Sequence, residues 1–223
     1  MAVSPYTCVL FDLDGTIADS APGITASLGY MFEQLGRPVP SAEELRAYVG
    51  PPILVAFAEL AGMTPVEAQQ ALAIYRQHYL DNAKDSPIFP GIAGVVRALH
   101  EAGVPLALAT SKPEFPASVI LDHGNLTQYF RVISGASIDE IRSAKSDIIA
   151  EAIHRFEMIG VDVSRPIMVG DRDYDVEGAA ANGISTIFVR WGYGSPAEEE
   201  GSIAAVDTAD QLRPLLLEGS AAE

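Results

Sequence analysis

One cysteine, one tryptophan and three lysines are all that a chain of 223 residues contains of these types. The lone Cys8 excludes an intrachain disulfide and makes a reducing, cytoplasmic location the expectation. It falls inside an apolar run, where a small buried hydrophobe is a better reading than a reactive thiol. No apolar stretch approaches the roughly 20 residues of a membrane-spanning helix. Met1-Ala2-Val3-Ser4-Pro5 lacks the basic-then-apolar order of a secretory leader, so none is expected. Basic residues are scarce too, 14 against 30 acidic ones, for a formal net charge of −16. No basic face is available for nucleic acid or an anionic membrane. Scarcity makes each lysine informative: Lys84 reads as solvated, whereas Lys112 and Lys145 stand in polar, motif-like settings. The four histidines, His78, His100, His123 and His154, share no spacing, which argues against a His-based metal or catalytic site.

What is present is a core. At 48% hydrophobic residues, the chain can bury one substantial core plus a small second unit. The chain is organised around Val9-Leu10-Phe11-Asp12-Leu13-Asp14-Gly15-Thr16. The apolar run from Cys8 to Phe11 reads as a buried strand that ends in two carboxylates and a glycine. Alternate residues of an extended chain point the same way, so Asp12 and Asp14 both reach beyond the strand end. Gly15 lets the chain turn away. Two carboxylates that close must share a proton or a cation. An acidic turn that merely closes a strand is the plain alternative for this stretch alone.

From about Ala21 to Ala83 the pattern is helical. Ile24, Leu28, Met31, Phe32 and Leu35 recur at helical spacing. Ser41 with Glu44 predicts a capping box, and Thr64-Pro65 predicts the start of a long helix through Tyr79. Ser86-Pro87 and Phe89-Pro90-Gly91 mark the exit. From Ile92 onward helices alternate with apolar strands at Pro105–Ala109, Val132–Ile133, Ile167–Val169 and Thr186–Val189. Such alternation indicates a parallel sheet with helices on both faces.

Strands of this sheet end in polar residues: the first at Asp12, the next at Thr110-Ser111-Lys112, another at Gly170-Asp171. A parallel sheet gathers its strand C-termini on one edge, where ligands bind. Asp12, Asp14, Thr110, Ser111, Asp171 and Asp175 therefore converge by topology. Capping of a helix is the competing role for Asp171 and Asp175. A third acid brought to the edge of Asp12 and Asp14 calls for a hard cation, and oxygen ligands point to Mg²⁺. Glu198-Glu199-Glu200 reads as a solvated turn. Trp191-Gly192-Tyr193-Gly194 fits a loop near the site and an ordinary surface loop equally well.

On these motifs the chain, from about Tyr6 to Leu216, resembles the haloacid dehalogenase-like phosphotransferases, most of all the phosphoglycolate phosphatase-type branch with a helical cap. The resemblance implies an α/β fold with a Rossmann-like parallel core from residues 1–16 and 86–223 and an inserted α-helical cap over residues 17–85. It implies Mg²⁺ held by the side chains of Asp12 and Asp171 and the backbone carbonyl of Asp14, with Asp175 in an outer position or acting through water. Asp12 would be the nucleophile, Asp14 the acid/base, Thr110 and Ser111 the phosphate-binding pair, and Lys145 the lysine that clamps phosphate. Ser111 stands where many relatives have Asn, and Ser146 where many have Pro. Lys145 is preferred over Lys112 because Pro113 biases Lys112 toward extended backbone and away from the phosphate. The implied activity is hydrolysis of a small phosphomonoester, a phosphorylated metabolite, by a monomer or homodimer. A phosphosugar mutase, a nucleotidase or pyrophosphatase, and a non-catalytic phosphate-binding regulator are the alternatives; a dehalogenase would typically lack Asp14 and the metal. The cap selects substrate, and Gly50-Pro51-Pro52 is its one candidate contact.

Overall fold

A computed structural model describes residues 4–140 and 142–218. Six parallel strands form one sheet: β1 (Cys8–Phe11), β2 (Leu106–Pro113), β3 (Phe130–Ala136), β4 (Pro166–Gly170), β5 (Ser185–Val189) and β6 (Ala204–Val206). Their order is β3-β2-β1-β4-β5-β6. The chain travels outward from β1 through β2 and β3, then returns to the other side of β1 for β4, β5 and β6. The direction of travel reverses between β1 and β4, and that switch point is where a crevice opens at the strand ends. Phe11 pairs with Val169 across it.

β1 is buried along its whole length, as a central strand covered on both faces must be. β6 is not foreshadowed in the sequence. It is three residues long, and its Ala204-Ala205 pair carries little strand preference. It exists because the open edge of β5 offers partners, Ile187 to Ala204 and Val189 to Val206.

Between β1 and β2 run α1 (Ala21–Gln34), α2 (Ala42–Arg46), α3 (Ile53–Ala61) and α4 (Pro65–Asn82), a 3₁₀ turn at Ala83–Asp85, and α5 (Ile92–Glu101). Local chemistry sets their starts. Ser41 Oγ accepts from Glu44 N while the Glu44 carboxylate accepts from Ser41 N at 2.7 Å, the reciprocal box expected. Thr64 and Glu67 repeat it at the head of α4. The buried faces of α1, α3 and α4, with Leu28, Met31, Phe57 and Tyr75, join one apolar cluster with Val9, Phe11 and Leu108 of the sheet.

The remaining helices are α6 (Glu114–His123), α7 (Lys145–Met158), α8 (Asp173–Ala180) and α9 (Ala209–Glu218). On the other sheet face, Ile148, Ile149 and Phe156 of α7 pack on Leu10, Ala109 and Met168. That packing carries Lys145, the first residue of α7, to the C-terminal edge of β1. Among the described residues no helix is long and apolar enough to cross a membrane.

Candidate active site

Asp12 follows β1 directly, and its amide donates to Val169 O of β4 at 2.9 Å. This pins the residue at the switch point. Asp171 follows β4, and Asp175 lies on the first turn of α8. Carboxylate oxygens of Asp12, Asp171 and Asp175 all lie within 4.8 Å of one another, and all three residues are buried. Lys145 Nζ sits among them, 2.7 Å from Asp12 Oδ1, 2.8 Å from Asp175 Oδ1 and 3.1 Å from Ala109 O.

The charge balance is unequal. One ammonium faces three buried carboxylates. Burial, with Asp175 and Asp14 adding to it, pushes the Asp12 carboxyl from its ordinary 3.8 up to about 7, although Lys145 pulls it down. Burial and the neighbouring Asp175 and Asp12 hold Asp171 well above its ordinary value. Burial alone would lower the Lys145 ammonium, but Asp12 and Asp175 offset this and raise it. A divalent cation would relieve this excess of negative charge, and the all-oxygen donor set suits Mg²⁺.

Asp175 takes the capping role and adds an ion pair to it. Its Oδ2 accepts from the amides of Asp171 and Arg172, both at 3.1 Å, capping α8. Its Oδ1 faces Lys145. Only Oδ1 is therefore left to turn toward a cation, and Lys145 shares it.

Asp14 points elsewhere. Its Oδ2 lies 3.1 Å from Lys112 Nζ, and Lys112 in turn donates to Tyr79 OH of α4 at 2.9 Å. This corrects the expectation that Pro113 aims Lys112 away. The residue is extended, as Pro113 requires, but β2 runs on to Pro113, and the extended backbone carries the side chain along the sheet edge to Asp14. Lys112 is 7% exposed and Lys145 6%, so both lysines are interior cations. Thr110 is buried and its Oγ1 accepts from Lys112 N at 3.2 Å. Ser111 Oγ and Asp14 Oδ1 are buried without hydrogen-bond partners among the described residues. An unpaired buried polar group costs about 1–3 kcal/mol, which a ligand that pairs with it recovers.

The loop after β5 belongs to the site. Tyr193 N donates to Asp171 Oδ2 at 2.7 Å, and Thr16 Oγ1 donates to Asp171 Oδ1 at 3.1 Å. Trp191 Nε1 donates to Thr16 O. Tyr193 OH donates to Asp19 Oδ1 at 2.8 Å and accepts from Ala21 N, so the same loop holds the entry to α1. Glycine is required around this acid: a Cβ at Gly192 would fall 2.3 Å from Asp171 Oδ2, and one at Gly15, where φ is +87°, 2.1 Å from it. The alternation Gly192, Gly194 was the available signal, but only the fold shows which side chain the glycines admit.

Arg172 was not anticipated. Its Nη1 donates to Val49 O of the helical insert, and its Nε lies 2.6 Å from Glu198 Oε2. Glu198 is therefore no solvated turn residue; it also accepts from Ser195 N and Asp173 N. Glu199 pairs with Arg190. Of the Gly50-Pro51-Pro52 loop, Gly50 and Pro51 line the cleft that opens at Asp14, whereas Pro52 is buried at the head of α3.

A match to the family model for haloacid dehalogenase-like hydrolases spans residues 9–189. The chain belongs to the haloacid dehalogenase-like hydrolases. Within the family, it is 35% identical to the phosphoglycolate phosphatase of Pseudomonas fluorescens, covering 96% of this chain and 80% of that one. It is 43% identical over 188 residues to the tyrosine-protein kinase PtkA of Mycobacterium tuberculosis, covering 83% of this chain; the match spans 62% of that protein's length. The crystal structure of a predicted phosphatase from Clostridium acetobutylicum superposes with a TM-score of 0.89 at 36% identity, covering 96% of this chain and 99% of that one. In this haloacid dehalogenase-like chain, the three acids gather at the switch point beyond β1 and β4.

Proposed function

We propose that the protein is a Mg²⁺-dependent phosphatase that hydrolyses a small phosphomonoester through an aspartyl-phosphate. The observation that carries this reading is Asp12 at the end of the central strand, 2.7 Å from the Lys145 ammonium and grouped with Asp171 and Asp175. Asp12 and Asp171 by side chain and Asp14 by its carbonyl would hold the metal, with Asp175 in an outer position. Asp14 lines the cleft with Oδ2 held by Lys112, which leaves Oδ1, without a partner among the described residues, for proton transfer. Bound Mg²⁺ would neutralise charge on the acids and on the transferring phosphoryl oxygens.

An Asp12 oxygen attacks phosphorus, forming the acyl-phosphate bond as the ester P–O bond breaks. Asp14 gives its proton to the departing alkoxide. Asp14 then takes a proton from water, which attacks the same phosphorus, and the P–O bond to Asp12 breaks to release phosphate. Lys145, Thr110 and Ser111 stabilise the phosphoryl oxygens. Helices α1–α4, within residues 17–85, act as the cap that excludes water and selects the ester.

Phosphate release across a panel of small esters, with Mg²⁺ or with chelator, tests the reading. Release that requires Mg²⁺ is expected; no release from any ester overturns it. The PtkA resemblance adds one arm, because the same aspartyl-phosphate handed to a tyrosine hydroxyl instead of water would make a transferase. Phosphotransfer to a tyrosine peptide without phosphate release would decide for that outcome.

The metal has a thermal signature. At a Mg²⁺ concentration 100-fold above Kd, binding to the folded state adds about 2.7 kcal/mol, roughly 5–10 °C in Tm for a domain of this size. The gain is expected to grow with pH. Between its ordinary value of 3.8 and about 7, Asp12 keeps in the folded state a proton that the unfolded chain has released. Metal-free stability therefore falls as pH rises through this window. Mg²⁺ binding needs the same proton gone, so its gain increases over the same interval. Asp171→Ala should remove it. A Tm that ignores Mg²⁺ at both pH 5 and pH 8 would show that these acids hold no metal.

A further inference from the structure

The cleft that opens at Asp14, Ser111 and Lys112 is larger and less polar than a minimal phosphoester requires. Its volume is about 740 Å³, between α1, α3 and α4 on one side and the segments after β2 and β3 on the other. A glycolate leaving group has the bulk of about five waters, on the order of 150 Å³. Pockets of roughly 300–1,000 Å³ accommodate ligands of drug size.

The lining next to Asp14 is aromatic. Tyr75 and Tyr79 of α4 both face the cleft and stack on each other, with centroids 5.6 Å apart and planes 13° from parallel. Phe57 meets Tyr75 edge-on at 6.4 Å and Lys112 Nζ lies over the Tyr79 ring at 4.3 Å, so the wall is held from both sides. Phe115 and Ile138 line the cleft from the core side and are 68% and 82% exposed, large apolar groups left facing solvent.

The cations of the lining each stand beside an acid, although Arg142 Nε is buried with no hydrogen-bond partner among the described residues. Arg76 pairs with Glu140, Lys112 with Asp14, Arg142 with Glu114 and Glu151, and Arg155 with the same two glutamates. A leaving group with a carboxylate of its own would find no cation among these that does not already have an acidic partner. An uncharged ring needs no counter-charge and would cover the exposed surfaces of Phe115 and Ile138 beside the rims of the tyrosines, of which Tyr75 is 8% and Tyr79 3% exposed.

Resting on the phosphatase reading, we propose that the preferred substrate is a phosphomonoester whose leaving group carries a planar aromatic ring, seated against the Tyr75–Tyr79 wall. The phosphate lies toward Asp12 and Asp14, and the ring extends toward Phe115 and Ile138. The shared chemistry is the ring, whether phenyl or nucleobase.

The test compares kcat/KM of the full chain with Mg²⁺ on 2-phenylethyl phosphate, ethyl phosphate and phosphoglycolate. The first two release alkoxides of similar basicity, so their ratio reads the ring and not the leaving-group chemistry. A preference of at least tenfold for the phenylethyl ester, mostly in KM, is expected. Equal or better turnover of phosphoglycolate would overturn the proposal while leaving the phosphatase reading intact. Tyr75→Leu should narrow the ratio; because Tyr75 is buried and could be needed for folding, Phe115→Ala at an exposed position should narrow it as well. Titration calorimetry of the three esters on Asp12→Asn reads the cleft without turnover: tighter binding of the phenylethyl ester supports the ring site even if no ester is hydrolysed, and equal binding refutes it. Calorimetry of adenosine 5′-monophosphate and phosphotyrosine on Asp12→Asn then identifies the source of the ring without any leaving-group effect; tighter binding of either than of ethyl phosphate supports the proposal, and tighter binding of neither refutes it.

Discussion

Asp12→Asn is expected to reduce phosphate release to background while leaving the fold intact. The amide has nearly the shape of the carboxylate but cannot attack phosphorus, so the first bond of the reaction does not form. Stability moves the other way. Burial and the neighbouring acids push the Asp12 carboxyl up to about 7, so ionising it costs more in the folded protein than in the unfolded chain. A neutral side chain removes that repulsion, and the metal-free Tm should hold or rise near pH 8. Lys145 loses one partner but keeps Asp175 at 2.8 Å. Steady-state kinetics and thermal melts on the same preparation check both halves. Substantial residual phosphatase activity would move the nucleophile elsewhere.

Lys145→Ala is the second large effect. The substitution removes the ammonium shared by Asp12, Asp175 and Ala109 O. A charge-assisted contact made mainly in the transition state is worth about 2.7–4 kcal/mol, so turnover should fall by roughly a hundred- to a thousand-fold. Removing one partner of a buried ion pair also costs stability, on the order of 3–5 kcal/mol, because carboxylates are left buried with no counter-charge. Circular dichroism separates that loss from the kinetic one, and Mg²⁺ should restore part of the Tm. Lys112→Ala is expected to lose less, since Lys112 reaches Asp14 and not the nucleophile. A larger loss at Lys112 would reverse the assignment of the phosphate clamp, and small losses at both would take lysine out of the mechanism.

The two lysines also illustrate what a sequence conveys. Lys145 was legible because an apolar helix pattern begins at it, and the same pattern packs α7 on the sheet. Lys112 was not legible in the same way, because the backbone bias that Pro113 imposes carries no direction in space. The backbone bias is present, yet where the side chain lands depends on how far β2 continues and on what α4 brings opposite it, Tyr79. The capping boxes at Ser41 and Thr64 were legible for the opposite reason: donor and acceptor lie three residues apart, and no other segment is involved.

By itself the sequence determined the parallel sheet, the early helical insert and the acids at the strand ends, because hydrophobic period, turn residues and strand-terminal carboxylates are all local patterns. Tertiary structure alone decided how those acids are shared out. It gave Asp12 and Asp175 to Lys145 and Asp14 to Lys112, set Gly192 and Tyr193 against Asp171, and tied Arg172 to Val49 and Glu198. The reason is distance: each of these contacts joins residues more than twenty positions apart, and an interaction of a few ångströms has no trace in spacing until the chain has closed on itself.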